Sequence, residues 1–184
     1  MSQYQIAVFV GSLRQDSIHR KLANAVAKLA PADFSFQQIQ IGDLPMYNQD
    51  EETNPNAAVQ RLKRDIAAAQ GLLFLSPEYN RSVPALLKNA IDTASRPYGQ
   101  NAWAGKPAAI LSASPGPIGG ALAQQHLRGI LACLDVHTLA QPEMYLQIKD
   151  NFFDGSGNFA NPDTRKFLQG WMDRYVNWVK KITA

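Results

Sequence analysis

Cysteine is all but missing from this chain of 184 residues, in which Cys133 stands alone. A lone thiol closes no intramolecular disulfide and no thiolate zinc cluster, so a disulfide-stapled scaffold is excluded and a reduced, cytoplasmic setting is expected. Charge is scarce too. Charged residues make up 18% of the chain and hydrophobic residues 46%, which leaves ample material for a core and excludes general disorder. No apolar run approaches the roughly 20 residues that span a bilayer. The N-terminal stretch MSQYQIAVFVGS lacks the basic region and small-residue cleavage site of an export signal, so no membrane role is expected. The 18 Lys+Arg exceed the 15 Asp+Glu by a net +3. That surplus is too thin for a nucleic-acid partner, whose binders gather basic groups on one face. Two nucleotide signatures, G-x-G-x-x-G and the GK[ST] loop, are missing as well.

What is present is a regular alternation of two periods, over a length that suits one domain, 1–184. Tyr4 to Val10 is β-branched and aromatic and stops at Gly11-Ser12, a strand running into a turn. Apolar residues at Ile18, Leu22, Ala25, Val26 and Leu29 then recur at helical steps, and Pro31 closes that helix. Phe34 to Ile41 reads as a second strand, followed by a polar loop over 48–56 and a helix from about Pro55 to Ala69. Gly71 to Ser76 is a near-continuous apolar run, the mark of a strand covered on both faces. A helix over 84–95, a strand Pro107 to Leu111, a helix Gly119 to Leu134, a weak fifth strand Val136 to Leu139 and a closing helix from Pro162 to Ile182 complete the series. Such alternation implies an α/β fold, a doubly wound five-stranded parallel sheet with helices on both faces. Ligands then bind beyond the carboxyl ends of the strands, which directs attention to the loops at 11–18, 76–82 and 112–119.

The first loop, GSLRQDSIH, offers hydroxyls, a guanidinium and the free N–H groups of a helix start. These suit a monoester phosphate; the alternative is that Ser17 merely caps the helix and Arg14 is solvated. The second, SPEYNRSVP, places an aromatic ring, an amide and backbone donors in a segment stiffened by two prolines. It fits a planar heteroaromatic ligand or, equally, a surface turn in which Tyr79 packs on its neighbours. The third, SASPGPIGG, is a turn whose glycines permit a ligand to approach the backbone closely.

Elsewhere the sequence carries little chemistry. His19, His126 and His137 lie on separate elements, and none has a second ligand at i+4, so no metal site is expected. Cys133 falls beside Leu131 and Leu134 and reads as a buried packing thiol. Trp171, Tyr175, Trp178 and Val179 form the core stripe of the last helix. Trp103 and Tyr98 lie in a connecting segment without an evident core role, which leaves a self-association surface or local packing as alternatives.

The stretches GSLRQDSIHRKLA (11–23), SPEYNRSVPALLKNAIDTAS (76–95) and GPIGGALAQQHLR (116–128) together resemble the NADPH-dependent FMN reductase family, in its branch of quinone and chromate reductases. The resemblance spans nearly the whole chain, and its second stretch is very specific. It implies a flavodoxin-like fold, FMN as cofactor and NADPH or NADH as donor. The implied reaction is a two-electron ping-pong hydride transfer through flavin N5 to quinones, with chromate, nitro or azo compounds as further acceptors. Separately, the small size of the chain and the apolar Trp103 and Tyr98 lead to the expectation of a homodimer or homotetramer. Carried over by position, Ser12, Leu13, Arg14, Ser17, Ile18 and His19 hold the FMN phosphate by side chain or backbone. Pro77, Glu78, Tyr79 and Asn80 line the isoalloxazine ring, and Ser114 with Gly116 closes the site. No acid–base residue is expected, and Glu78 is expected to act at the ring edge through its backbone. Where some relatives carry Arg, this chain has Leu122. Rival readings are a flavodoxin-type electron carrier, disfavoured by the positive balance with Arg14 and Arg81 in the site loops, and an FMN-binding protein without turnover.

Overall fold

The computed structural model describes residues 4–184. Five strand positions run side by side, all parallel. Three central strands, β1 (Tyr4–Val10), β3 (Gly71–Ser76) and β4 (Pro107–Ser114), are flanked by β2 (Phe34–Gln38) at one edge, in the order β2-β1-β3-β4-β5. The other edge departs from the expected Val136–Leu139 strand. It is split into β5 (His137–Thr138), which pairs the start of β4, and β6 (Tyr145–Gln147), which pairs its end. Pro142 lies between the two pieces and has no N–H to give a ladder. Pairing with β6 also explains why β4 runs on to Ser114, beyond the Leu111 read from its apolar run.

Residues of period two divide the core. Ile6, Val8, Val10, Leu73 and Leu75 face α1 (Ile18–Ala27) and α5 (Pro162–Thr183), while Ala7, Phe9, Leu72 and Phe74 face α2 (Ala57–Ala68), α3 (Ala85–Ala94) and α4 (Ala121–Cys133). Every residue of β3 is buried, as its unbroken apolar run requires. In α5, Trp171, Tyr175 and Val179 are buried, and the Tyr175 hydroxyl donates to the Leu72 carbonyl at 2.8 Å.

One open alternative is decided and one packing expectation is overturned. Trp103 is fully buried against Phe9 and Phe74, with Nε1 donating to the Ile91 carbonyl at 2.9 Å. It is therefore core, and only Tyr98, 90% exposed, remains of the apolar pair that pointed to self-association. Cys133, read as a buried packing thiol, is exposed, because two residues on from the buried Leu131 it lies on the opposite side of α4.

Candidate functional site

Chain order reverses between β1 and β3: β2 lies to one side of β1, and β3 with all later strands lies to the other. The loops leaving β1, β3 and β4 therefore meet at one edge of the sheet. Contacts tie them together. Gly11 N donates to the Leu75 carbonyl at 2.8 Å, and a Cβ on Gly11 would meet Pro77 Cδ at 2.9 Å, so only glycine lets the first loop leave β1 this close to the second. Gly119 has φ +62°, and a Cβ there would lie 2.7 Å from the Tyr145 carbonyl carbon, which makes it the contact between the third loop and β6.

The first loop ends in a helix start. Ser17 caps α1, its Oγ accepting from Arg20 N, and the first-turn N–H groups of Ile18 and His19 have no partner within the helix. Ser12 is buried beside it, whereas Leu13 and Arg14 are exposed. Asp16 is held by Lys21 at 2.5 Å, and this ammonium keeps its carboxyl below the usual range. The result is a concave end of hydroxyls, unpaired N–H groups and one guanidinium, a donor set that fits a phosphate.

His19 behaves differently from its neighbours. Its ring is buried, with Nε2 3.0 Å from the Ala113 carbonyl of β4. Burial lowers its pKa to about 4, and the carbonyls of Ala113 and Ser76 offset only part of that shift. A neutral imidazole committed to the protein's own carbonyls leaves only the backbone N–H of His19 for a phosphate.

The second loop is a miniature hairpin. Tyr79 and Ser82 exchange backbone hydrogen bonds of 3.1 and 3.0 Å around Asn80 and Arg81, whose φ values are 49° and 65°. A two-residue turn of this hand needs positive φ at both positions, which Asn tolerates and Arg resists. Tyr79 is half exposed at its base and Pro77 is buried beneath it. Arg81, one of the two cations counted in the site loops, is paired with Glu78 at 3.1 Å. The Glu78 carboxylate also accepts from Leu122 N and Ala123 N at 3.0 and 3.2 Å. In the third loop the Ser114 hydroxyl donates to the Gly116 carbonyl at 3.0 Å.

Sequence reasoning missed Gln124. It is fully buried in α4 and its amide donates to Ser112 Oγ at 3.0 Å and to the Met144 carbonyl at 2.8 Å, fastening α4 to β4 and to the approach to β6. A glutamine on the apolar face of a helical pattern was the available signal. A cavity of about 720 Å³ lies away from these loops, between residues 45–56, α2 and the end of α3. Its polar side chains engage each other, Glu52 accepting from Tyr47 at 2.6 Å and from Arg96 at 2.8 Å. Next to the loops, Ile18, Lys21, Pro115, residues 148–155 and Gly157 border a depression of about 560 Å³. Among the described residues no helix is long and apolar enough to cross a membrane, and no cluster of three or more His, Cys, Asp or Glu is placed to hold a metal ion.

Comparison with known proteins bears on what this edge does. The sequence model of a family described as NADPH-dependent FMN reductase matches residues 4–150. A 2-hydroxy-1,4-benzoquinone reductase from Burkholderia sp is 52% identical over 176 residues, covering 96% of each chain. A quinone reductase from Pseudomonas putida is 48% identical over 182 residues, covering 98% of this chain and 97% of its own. Among solved structures, the flavoenzyme NAD(P)H:(acceptor) oxidoreductase FerB of Paracoccus denitrificans superposes with a TM-score of 0.93 at 45% identity, over 97% of this chain and 98% of its own. A flavodoxin mutant from Pseudomonas aeruginosa, at 17% identity and a TM-score of 0.60, shares the fold alone.

Proposed function

Because the chain belongs to the NADPH-dependent FMN reductase family and is an NAD(P)H oxidoreductase with FMN as its cofactor, we propose that it passes two electrons from NADPH or NADH to small quinones in a ping-pong cycle, the two substrates using one cleft in turn. The observation that carries this reading is the joining of the three loops at the reversal of strand order, with an open, phosphate-compatible helix start at one end and the Tyr79 turn at the other. FMN, when bound, supplies the redox chemistry itself. The protein's part is to hold it. Ser12, Arg14, Ser17 and the N–H groups of Leu13, Ile18 and His19 serve the phosphate. Pro77, Glu78, Tyr79 and Asn80 line the ring side, and Ser114 and Gly116 close the third wall.

The Glu78 carboxylate is committed to α4 and Arg81, and the His19 ring to β4, so neither serves the cleft as a proton shuttle. Acceptor choice then depends on access to the cleft rather than on a dedicated acid, which extends the proposal to chromate, nitro and azo compounds. An unpaired, exposed thiol at Cys133 supports a reducing, cytoplasmic setting.

Purified protein supplied with FMN is expected to consume NADPH or NADH when 1,4-benzoquinone is added, followed as loss of the reduced-nicotinamide absorbance. A requirement for a separate reductase would instead identify an electron carrier, and bound FMN without turnover on any acceptor a binding protein. Arg14→Ala removes the exposed guanidinium of the phosphate end. It is expected to raise the FMN dissociation constant roughly tenfold, the scale of one hydrogen bond to a charged group, read by quenching of FMN fluorescence on titration. An unchanged constant would remove Arg14 from the phosphate site.

A further inference from the structure

Helix α4 begins without a cap of its own. Its N-cap is Gly120, in the left-handed region at φ 80°, with no side chain to accept from the first-turn N–H groups. Leu122 N and Ala123 N are nonetheless satisfied, both by Oε2 of Glu78, a residue 44 and 45 positions earlier in the chain. This places a carboxylate at the positive end of the helix, where it is stabilised and shorter-range orphan donors are removed. Oε1 of the same carboxylate holds Arg81, a residue whose left-handed backbone conformation is unfavourable for its side chain. The Glu78 side chain is only 9% exposed. A second tie, from Ser82 Oγ to His126 Nδ1 at 3.0 Å, runs parallel to the first about one helical turn further along α4.

We propose that Glu78 is a positioning residue: its carboxylate caps α4 from outside and clamps the 76–82 hairpin to that helix, setting the spacing between the second and third walls of the flavin cleft. This rests on the reading of the cleft given above. The side chain reaches past the cleft to the helix behind it, so the side chain organises the walls while only the backbone of Glu78 faces the cofactor. A negative charge built into the fold also closes the α4 helix start to external anions and leaves α1 as the end that takes the cofactor's phosphate.

The test uses three variants and a small carboxylate. Glu78→Ala removes the clamp and is expected to weaken FMN binding about tenfold and to raise the KM for benzoquinone more than it lowers kcat. Sodium formate, small enough to enter the space left by the side chain, is expected to restore most of the FMN affinity of Glu78→Ala, while sodium chloride at equal ionic strength does not and neither salt improves the wild type. Glu78→Gln keeps a carbonyl oxygen for the two N–H groups and is expected to stay within about threefold of wild type. Glu78→Asp, too short to reach α4, is expected to resemble alanine. Unaltered FMN affinity and quinone KM in Glu78→Ala would overturn the proposal, as would losses that formate leaves in place or that appear equally in Glu78→Gln. Failure of the wild type to bind FMN would refute the reading of the cleft, which the unliganded melting temperatures of the same variants separate from loss of the clamp.

Discussion

Trp103→Ala is expected to destabilise the fold by about 3–5 kcal/mol, the range for removing a large buried aromatic. The indole is fully buried. It stands edge-on to Phe9 of β1, with ring centres 5.1 Å apart and planes at 68°, and lies tilted against Phe74 of β3 at 5.9 Å. Its Nε1 donates to the Ile91 carbonyl in α3, so the substitution opens a cavity between sheet and helix and also removes one internal hydrogen bond. Trp103→Phe, which keeps a ring but no donor, is expected to fall between alanine and wild type. Urea unfolding followed by far-ultraviolet circular dichroism measures both. A loss below about 1 kcal/mol for alanine would be incompatible with a buried indole.

The second large effect is acid sensitivity centred on His19. In the unfolded chain its imidazole titrates near 6.5, whereas in the fold burial lowers that to about 4. Above pH 6.5 the ring is neutral in both states and contributes no pH dependence. Between 6.5 and 4 the unfolded state binds the extra proton, so stability falls as pH falls; below 4 both states are protonated and the loss is complete. The interval corresponds to about 3 kcal/mol. Urea midpoints of FMN-free protein across this range are expected to decline steeply in wild type and to flatten in His19→Asn, which cannot titrate. An equally steep decline in the variant would assign the sensitivity to the carboxylates. Those of Asp16, Asp33, Asp43 and Glu52, held below their usual range by Lys21, Lys180, Arg61, and Tyr47 with Arg96 respectively, lose their pairs at lower pH. Asp16 and Asp43 are exposed, and Asp33 and Glu52 are partly buried at the surface, so solvent screens these pairs and their individual effects are correspondingly small.

Much of the molecule was legible in the order of its residues, for local reasons. The apolar run 71–76, the helical spacing from Ile18 to Leu29 and the prolines that bound elements are decided within a few residues of chain, and the structure follows them closely. The same holds for the first loop, where Ser17 caps α1 as its position before an apolar helical pattern indicates. The edge strand was less legible. A two-residue pairing such as His137–Thr138 has almost no periodicity to detect, and β6 exists because β4 offers a free edge, which the segment around Tyr145 does not announce.

The site divides in the same way. An α/β fold, the three loops at its carboxyl edge and the residue types suited to a phosphate and a flat ring all follow from residue order, because motifs and periods are short-range features. Where the side chains find their partners depends instead on the packed fold. It turned His19 inward to Ala113, joined Glu78 to a helix 44 residues away, paired Arg81 with Glu78, buried Trp103 between the sheet and α3 and left Cys133 exposed. Each of these depends on which distant element arrives beside the residue. A hydrogen-bonding or apolar group takes the nearest partner that the folded chain provides, and that partner cannot be read from the residues on either side of it.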